Sequence, residues 1–138
     1  MTISDAAVAA ELSGELGYPV TRECMEERLR RFATLPDHVV LAACLREQVV
    51  GWVDVSVTQH LQTAMYGEIG GLVVSEKCRS HGVGQKLLEA AEQWIAARGI
   101  GTVAVRSRST RERAHAFYLR HGYAQVKTSV VFRKELKP

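Results

Sequence analysis

Val74-Ser75-Glu76-Lys77-Cys78-Arg79-Ser80-His81-Gly82-Val83-Gly84 is the stretch on which the fold turns. An apolar strand ends at Val74, a short polar loop follows, and glycines open a long helix. Backbone N–H groups at such a helix start have no partner inside the helix, and the helix dipole favours an anion there. Gly82 and Gly84 remove side chains that would hold a phosphate away, and Arg79 adds charge. The stretch therefore reads as a diphosphate seat. It has neither the Gly-Lys-Ser/Thr of a P-loop nor the three glycines of G-x-G-x-x-G. The spacing is R-x-x-G-x-G.

Working outward, Gly82 to Arg98 is the clearest helix, with Val83, Leu87, Ala91, Trp94 and Ile95 as its apolar stripe and Gly99 as its stop. Thr102 to Ser107 reads as a strand, Arg111 to His121 as a helix ended by Gly122, and Tyr123 to Val126 and Ser129 to Lys134 as closing strands. Upstream, Tyr66 to Val74 is a strand interrupted by Gly70-Gly71, a pair that marks a bulge or a close backbone approach. Gln59 to Met65 reads as a polar loop, and Val39 to Leu45 with Val49 to Thr58 as a hairpin joined by Arg46-Glu47-Gln48. Thr21 caps a helix carrying Met25, Leu29 and Phe32, and Ser4 and Asp5 cap an earlier one that Gly17-Tyr18-Pro19 stops near Leu16. Strand, long helix, strand is a crossover unit, so its two strands should be parallel neighbours in an otherwise antiparallel sheet. The expected class is mixed α/β, helices packed on a sheet, in one domain over 1–138.

Bulk composition narrows the function. The chain of 138 residues is 46% apolar and 24% charged, ordinary for one globular domain. No apolar run has the roughly 18 residues a membrane helix needs, so no membrane partner is expected. Residues 1–17 carry Asp5, Glu11 and Glu15 without a basic side chain, unlike a signal or transit peptide. Cys24, Cys44 and Cys78 are odd in number and irregularly spaced, which argues against a disulfide framework and for a reducing cytoplasm. The five histidines form no ligand set, so no metal is expected. A net charge of +3 is too mild to imply nucleic acid. Its distribution is uneven. Asp5, Glu11, Glu15, Glu23, Glu26 and Glu27 face one Arg22 in residues 1–27, and Arg106, Arg108, Arg111, Arg113 and Arg120 face one Glu112 in residues 106–121. These are either two solvated faces or an acidic zone for a cation and a basic zone for phosphates.

Strand, R-x-x-G-x-G and long helix together resemble the signature of the GCN5-related N-acetyltransferase (GNAT) superfamily. Downstream, Ala114-His115-Ala116-Phe117-Tyr118-Leu119-Arg120-His121-Gly122-Tyr123 is similar to its A-x-x-F-Y-x-x-x-G-Y/F segment, and Leu72-Val73-Val74 to its cofactor strand. The resemblance implies an acyl-CoA N-acyltransferase fold, a central mixed sheet flanked by about four helices, that binds acetyl-CoA and acetylates an amine without metal. Main chain at Leu72, Val73 and Val74 should pair with the pantetheine arm, one N–H polarising the thioester carbonyl. Arg79, Ser80, His81, Gly82, Val83, Gly84 and Gln85 should wrap the pyrophosphate. Tyr118 stands where the family places a general acid for the departing thiolate, and a phenol of pKa about 10 suits that task. Its other reading is a core aromatic beside Phe117. Glu68, eleven positions before Arg79, stands in the register of the general base of the histone-modifying branch, or is an exposed strand glutamate.

The chain departs from the family pattern at Glu76, where proline is common, and at Arg111, where asparagine is common; it contains no asparagine at all. Only Met1-Thr2-Ile3 remains for the family's first strand. The acceptor site of such enzymes lies between the first two helices, the loop here spanning Gln59 to Met65 and the C-terminal strands, so the acidic zone points to a small cationic amine, aminoglycoside- or polyamine-like. A peptide or protein amine is the competing acceptor, and a non-catalytic acetyl-CoA-binding module the competing class. Dimers are frequent in the family, so a homodimer through the closing strands is a further expectation.

Overall fold

The computed structural model describes residues 1–79, 81–107 and 111–137. They fall into two compact units, Met1–Arg106 and Ser107–Pro138.

The first unit holds helices α1 (Ala6–Leu16) and α2 (Arg22–Phe32), strands β1 (His38–Leu45), β2 (Gln48–His60) and β3 (Thr63–Val74), helix α3 (Val83–Ala96) and strand β4 (Val103–Val105). The sheet runs β1-β2-β3-β4, antiparallel through β3 and parallel between β3 and β4. This is the meander plus crossover that the element order predicts. Helices cover both faces, and strand alternation shows why. Trp52 points to α1, donating Nε1–H to the Ala9 carbonyl (3.2 Å). Its neighbour Gly51 faces the other way, and a Cβ there would lie 3.1 Å from Leu87 of α3.

Capping follows the sequence at Thr21 and Gly17, whereas Asp5, at the N-cap of α1, makes no side-chain cap bond to that helix. Thr21 accepts from the Cys24 N–H at 3.1 Å, and Gly17 ends α1 in the left-handed region. Before α1, Ile3–Asp5 form a single 3-10 turn, with Thr2 N–H donating to Asp5 Oδ2 at 2.8 Å. The sheet therefore begins at β1, and the family's first strand is represented only by a bond from the Met1 amine to the Val40 carbonyl (3.2 Å). The core lies between α3 and the sheet, where Val53, Val55, Ile69, Leu88 and Ile95 are fully buried. The α3 stripe differs in one place. Leu88 joins the core, while Trp94 sits half-buried at its margin under the Arg98 guanidinium, 4.0 Å from the ring centre. Gly67 is required because any side chain would collide with Ile95.

Two expectations fail. The polar loop over 59–65 is only the turn at 61 and 62, because β2 and β3 extend as a long hairpin to His60 and Thr63. Residues 123–137 form no strand, although two were expected. Among the described residues of the second unit only α4 (Glu112–Arg120) is regular. Strand propensity at Val130, Val131 and Phe132 is not enough without a neighbour to take the backbone groups, and these side chains stay exposed, Phe132 at 91%. No helix among the described residues is long and apolar enough to cross a membrane.

Candidate active site

The parallel pairing of β3 with β4 is short. It joins Gly67, Ile69 and the residue between them to Val103–Val105 and stops there. The next residue, Gly70, is an extra one on β3, since Asp54 faces Gly71 while Val55 faces Ile69. The Gly70-Gly71 pair thus marks a bulge, as read from sequence. Beyond it, among the described residues, Leu72, Val73 and Val74 pair only with β2, opposite Val53, Trp52 and Gly51. Ser75 spends its N–H on Val50 (2.7 Å), so alternation turns the N–H groups of Leu72 and Val74 to the edge that β4 has left. A sheet edge with free donors is a place where an extended ligand adds as a strand.

The same strand runs into the loop. A 3-10 turn, Glu76–Cys78, leads to Arg79, which lies 3.9 Å from Glu76. The C-terminal part of α1 holds this loop, since Glu15 Oε1 accepts the Glu76 N–H at 2.9 Å. His81 Nδ1 sits 3.2 Å from the Cys78 carbonyl. Gly82 caps α3 at φ +75, a conformation that favours glycine, and a Cβ there would meet open space. The first N–H groups of α3, at Val83, Gly84 and Gln85, have no carbonyl inside the helix to bond. Glu76, where the family prefers proline, gives up its N–H to the α1 clamp, which a proline could not do. Ser80 and Arg108 lie outside the described residues.

On the α1 side of the sheet a polar row crosses three strands. His38 on β1 faces Ser56 on β2, which faces Glu68 on β3. Glu68 Oε2 accepts from the Thr58 hydroxyl (3.2 Å), and Oε1 lies 3.3 Å from Arg106 Nε. His38 Nε2 bonds Asp54 Oδ1, and the imidazole stacks on Phe32 of α2. Sequence reading missed the His38–Asp54 pair and the Glu15 clamp. The alternation Trp52-Asp54-Ser56-Thr58 was the signal for one face of β2, but the partner of each depends on register. The acidic zone of residues 1–27 resolves unevenly. Glu23 is exposed, Glu27 is paired with Arg31, half-buried Glu26 is paired with Arg22, and Glu15 serves the loop. The carboxylates on the sheet face are Asp54 and Glu68.

In the second unit Tyr118 lies on α4, half-buried, with Phe117 and Tyr123 edge-on at 5.3 Å and 5.7 Å. Burial raises its hydroxyl above the ordinary phenol value, against the lowering effect of the Arg111 guanidinium. The phenol is therefore neutral at physiological pH and able to donate. The structure thus gathers Glu68, Leu72, Val73, Val74, Arg79, His81, Gly82, Val83, Gly84 and Gln85 in one unit and carries Tyr118 on the other.

Comparison with known proteins agrees with this geometry. Residues 6–123 match the model of the acetyltransferase (GNAT) family. An aminoglycoside N(6')-acetyltransferase type 1 of Stenotrophomonas maltophilia is 28% identical over 99% of this chain and 92% of its own length. An aminoalkylphosphonate N-acetyltransferase of Salmonella typhimurium is 33% identical over 87% of this chain and 76% of its own. Among solved structures, an aminoglycoside N-acetyltransferase in complex with coenzyme A superposes with a TM-score of 0.88 at 14% identity, covering 99% of this chain and 92% of that one, a likeness of fold. The family match over residues 6–123 spans both the β3–α3 segment and α4: the chain belongs to the acetyltransferase (GNAT) family and is an acetyl-CoA-dependent acyltransferase.

Proposed function

We propose that this enzyme N-acetylates a small cationic amine by direct attack on acetyl-CoA in a ternary complex. One observation carries the reading. A single strand, β3, turns the backbone donors of Leu72 and Val74 away from β2 and, on its α1 side, carries the end of the carboxylate row at Glu68. Donor and acceptor would meet at the bulge between them. The pantetheine arm adds along the free edge, and its pyrophosphate sits at Arg79–Gln85. Leu72 or Val74 N–H polarises the thioester carbonyl. Glu68 takes the proton of the attacking ammonium through water, and the nitrogen bonds the carbonyl carbon. The C–S bond breaks as the tetrahedral centre collapses, Tyr118 protonates the thiolate, and the second proton shed by the nitrogen restores the phenol through water. Most of the rate comes from holding amine and thioester together.

The relatives named above act on aminoglycosides and an aminoalkylphosphonate, both small primary amines. The sheet-face carboxylates favour the polycation. Arg106, 66% exposed beside Glu68, favours the second reading, an acceptor that carries an anionic group next to its amine. The test is thiol release from acetyl-CoA against aminoglycosides, polyamines, aminoalkylphosphonates and basic peptides. Turnover with the first two classes is expected. Turnover confined to peptides would overturn the reading, and no release with any amine, despite acetyl-CoA raising the melting temperature, would point to a donor-binding module.

A further inference from the structure

The reaction as described uses neither Asp54 nor His38, yet the two are built with care. Asp54 lies on β2 opposite Gly71, next to the bulge where β3 parts from β4. A Cβ at Gly70 would lie 3.0 Å from Asp54 Oδ2, so this oxygen hangs over the spot where β3 carries no side chain. The other oxygen is fixed. His38 Nε2 bonds Oδ1, and the imidazole is stacked on Phe32 with ring centres 4.0 Å apart and planes 22° from parallel. The imidazole is the more sheltered partner, 18% exposed against 29% for the carboxylate. Among the described residues, Oδ2 has no hydrogen-bond partner. Glu68 differs, because Thr58 takes one of its oxygens and the Arg106 guanidinium faces the other.

We infer that Asp54 is the residue that holds the attacking ammonium of the acceptor, and that His38 is the positioning residue that fixes it. The inference rests on the acetyl-transfer reading above. An ammonium donating to Oδ2 sits over the Gly70 gap, at the start of the free edge where the thioester carbonyl is expected. Its hydrogen bond is charge-assisted, in a site half-shielded from water. The ligand class is a primary alkylammonium, whatever the rest of the acceptor carries. The proton leaves afterwards to the base.

Trp52 shares the Asp54 face of β2, so its fluorescence reads acceptor binding without turnover. A Trp94→Phe background removes the other indole, which lies on α3. Kanamycin and 2-aminoethylphosphonate serve as probes on the coenzyme A-loaded protein. Asp54→Asn should weaken binding of both by about 10- to 100-fold, the range set by a lost hydrogen bond to a charged group. It should lower kcat/KM for the acceptor in proportion and leave KM for acetyl-CoA within about twofold. His38→Ala should give a smaller loss that His38→Gln, which retains an N–H donor, recovers. Acceptor binding and kcat/KM within about threefold of the parent in Asp54→Asn would overturn the inference, as would an equal rise in KM for acetyl-CoA or a parent that binds neither amine. Binding that depends on Asp54 without any acetyl transfer would sustain this site and instead defeat the acetyl-transfer reading.

Discussion

Burial holds the Tyr118 phenol above its ordinary value of 10.0, and Arg111 opposes the shift without cancelling it. The neutral form is thus the one the fold prefers. Its contribution to stability is complete below pH 10, where the unfolded chain is also protonated, and is lost as pH rises through the folded-state value. A titration of phenolate absorbance should show a step above the ordinary phenol range, and Tyr118→Phe should remove it. If Tyr118 is the acid, the same variant should cut kcat by about 10²-fold or more with KM for the acceptor little changed. Gly70 gives a second residue-scale prediction. A methyl at that position lies 3.0 Å from Asp54 Oδ2 and intrudes on the proposed ammonium seat. Gly70→Ala should raise acceptor KM about tenfold while urea unfolding shows stability unchanged within about 0.5 kcal/mol. Tyr118 could be picked out from sequence because its neighbours Ala114, Phe117 and Gly122 form one local segment. The His38–Asp54 pair could not, because it joins residues 16 positions apart across two strands. A one-residue slip would turn either side chain to the other face.

The elements read best from sequence are those whose ends are chemical. Gly17, Gly99 and Gly122 all take positive φ, and all three were read as helix stops. The β1–β2 turn is different, since Arg46 and Glu47 both sit at positive φ without being glycine or asparagine, and tertiary pairing of the hairpin imposes that strain. The reach of the β2–β3 hairpin was hidden for a related reason. Gln59, Leu61 and Gln62 look like loop residues, and cross-strand pairing decides where the ladder ends. The proposed donor seat is an element-scale object, made by β3, its loop, α3 and the Glu15 clamp from α1. Gly82→Ala should cost about 1 kcal/mol through its backbone conformation alone, since no neighbour obstructs the new methyl. Glu15→Ala frees the Glu76 N–H and the loop with it. KM for acetyl-CoA should rise about 3- to 10-fold, the scale of one charged hydrogen bond lost at the surface, while acceptor KM holds. An acceptor effect as large as the donor effect would show that the clamp supports α1 rather than the loop.

At the scale of the whole molecule, the seat proposed for the donor is contained in Met1–Arg106, and the proposed acid is carried by the other unit. Binding and thiolate protonation should therefore separate. Acetyl-CoA binds the folded chain and not the unfolded one, so at about 100 times its dissociation constant it should stabilise the fold by about 2.7 kcal/mol. For a chain of this size that is a rise in melting temperature of about 6–15 °C. The shift should shrink as salt rises if, as proposed, Arg79 and the α3 N-terminus hold the pyrophosphate through charge. Tyr118→Phe should keep the full shift and lose turnover. Arg79→Ala should lose part of the shift, and added salt should then matter less. The opposite pattern, a Tyr118 variant that no longer responds to acetyl-CoA, would place the phenol in donor binding and take the acid role from it. The two assays together thus separate a residue that binds the donor from one that acts on the leaving group, because only the second can lower turnover without moving the melting temperature.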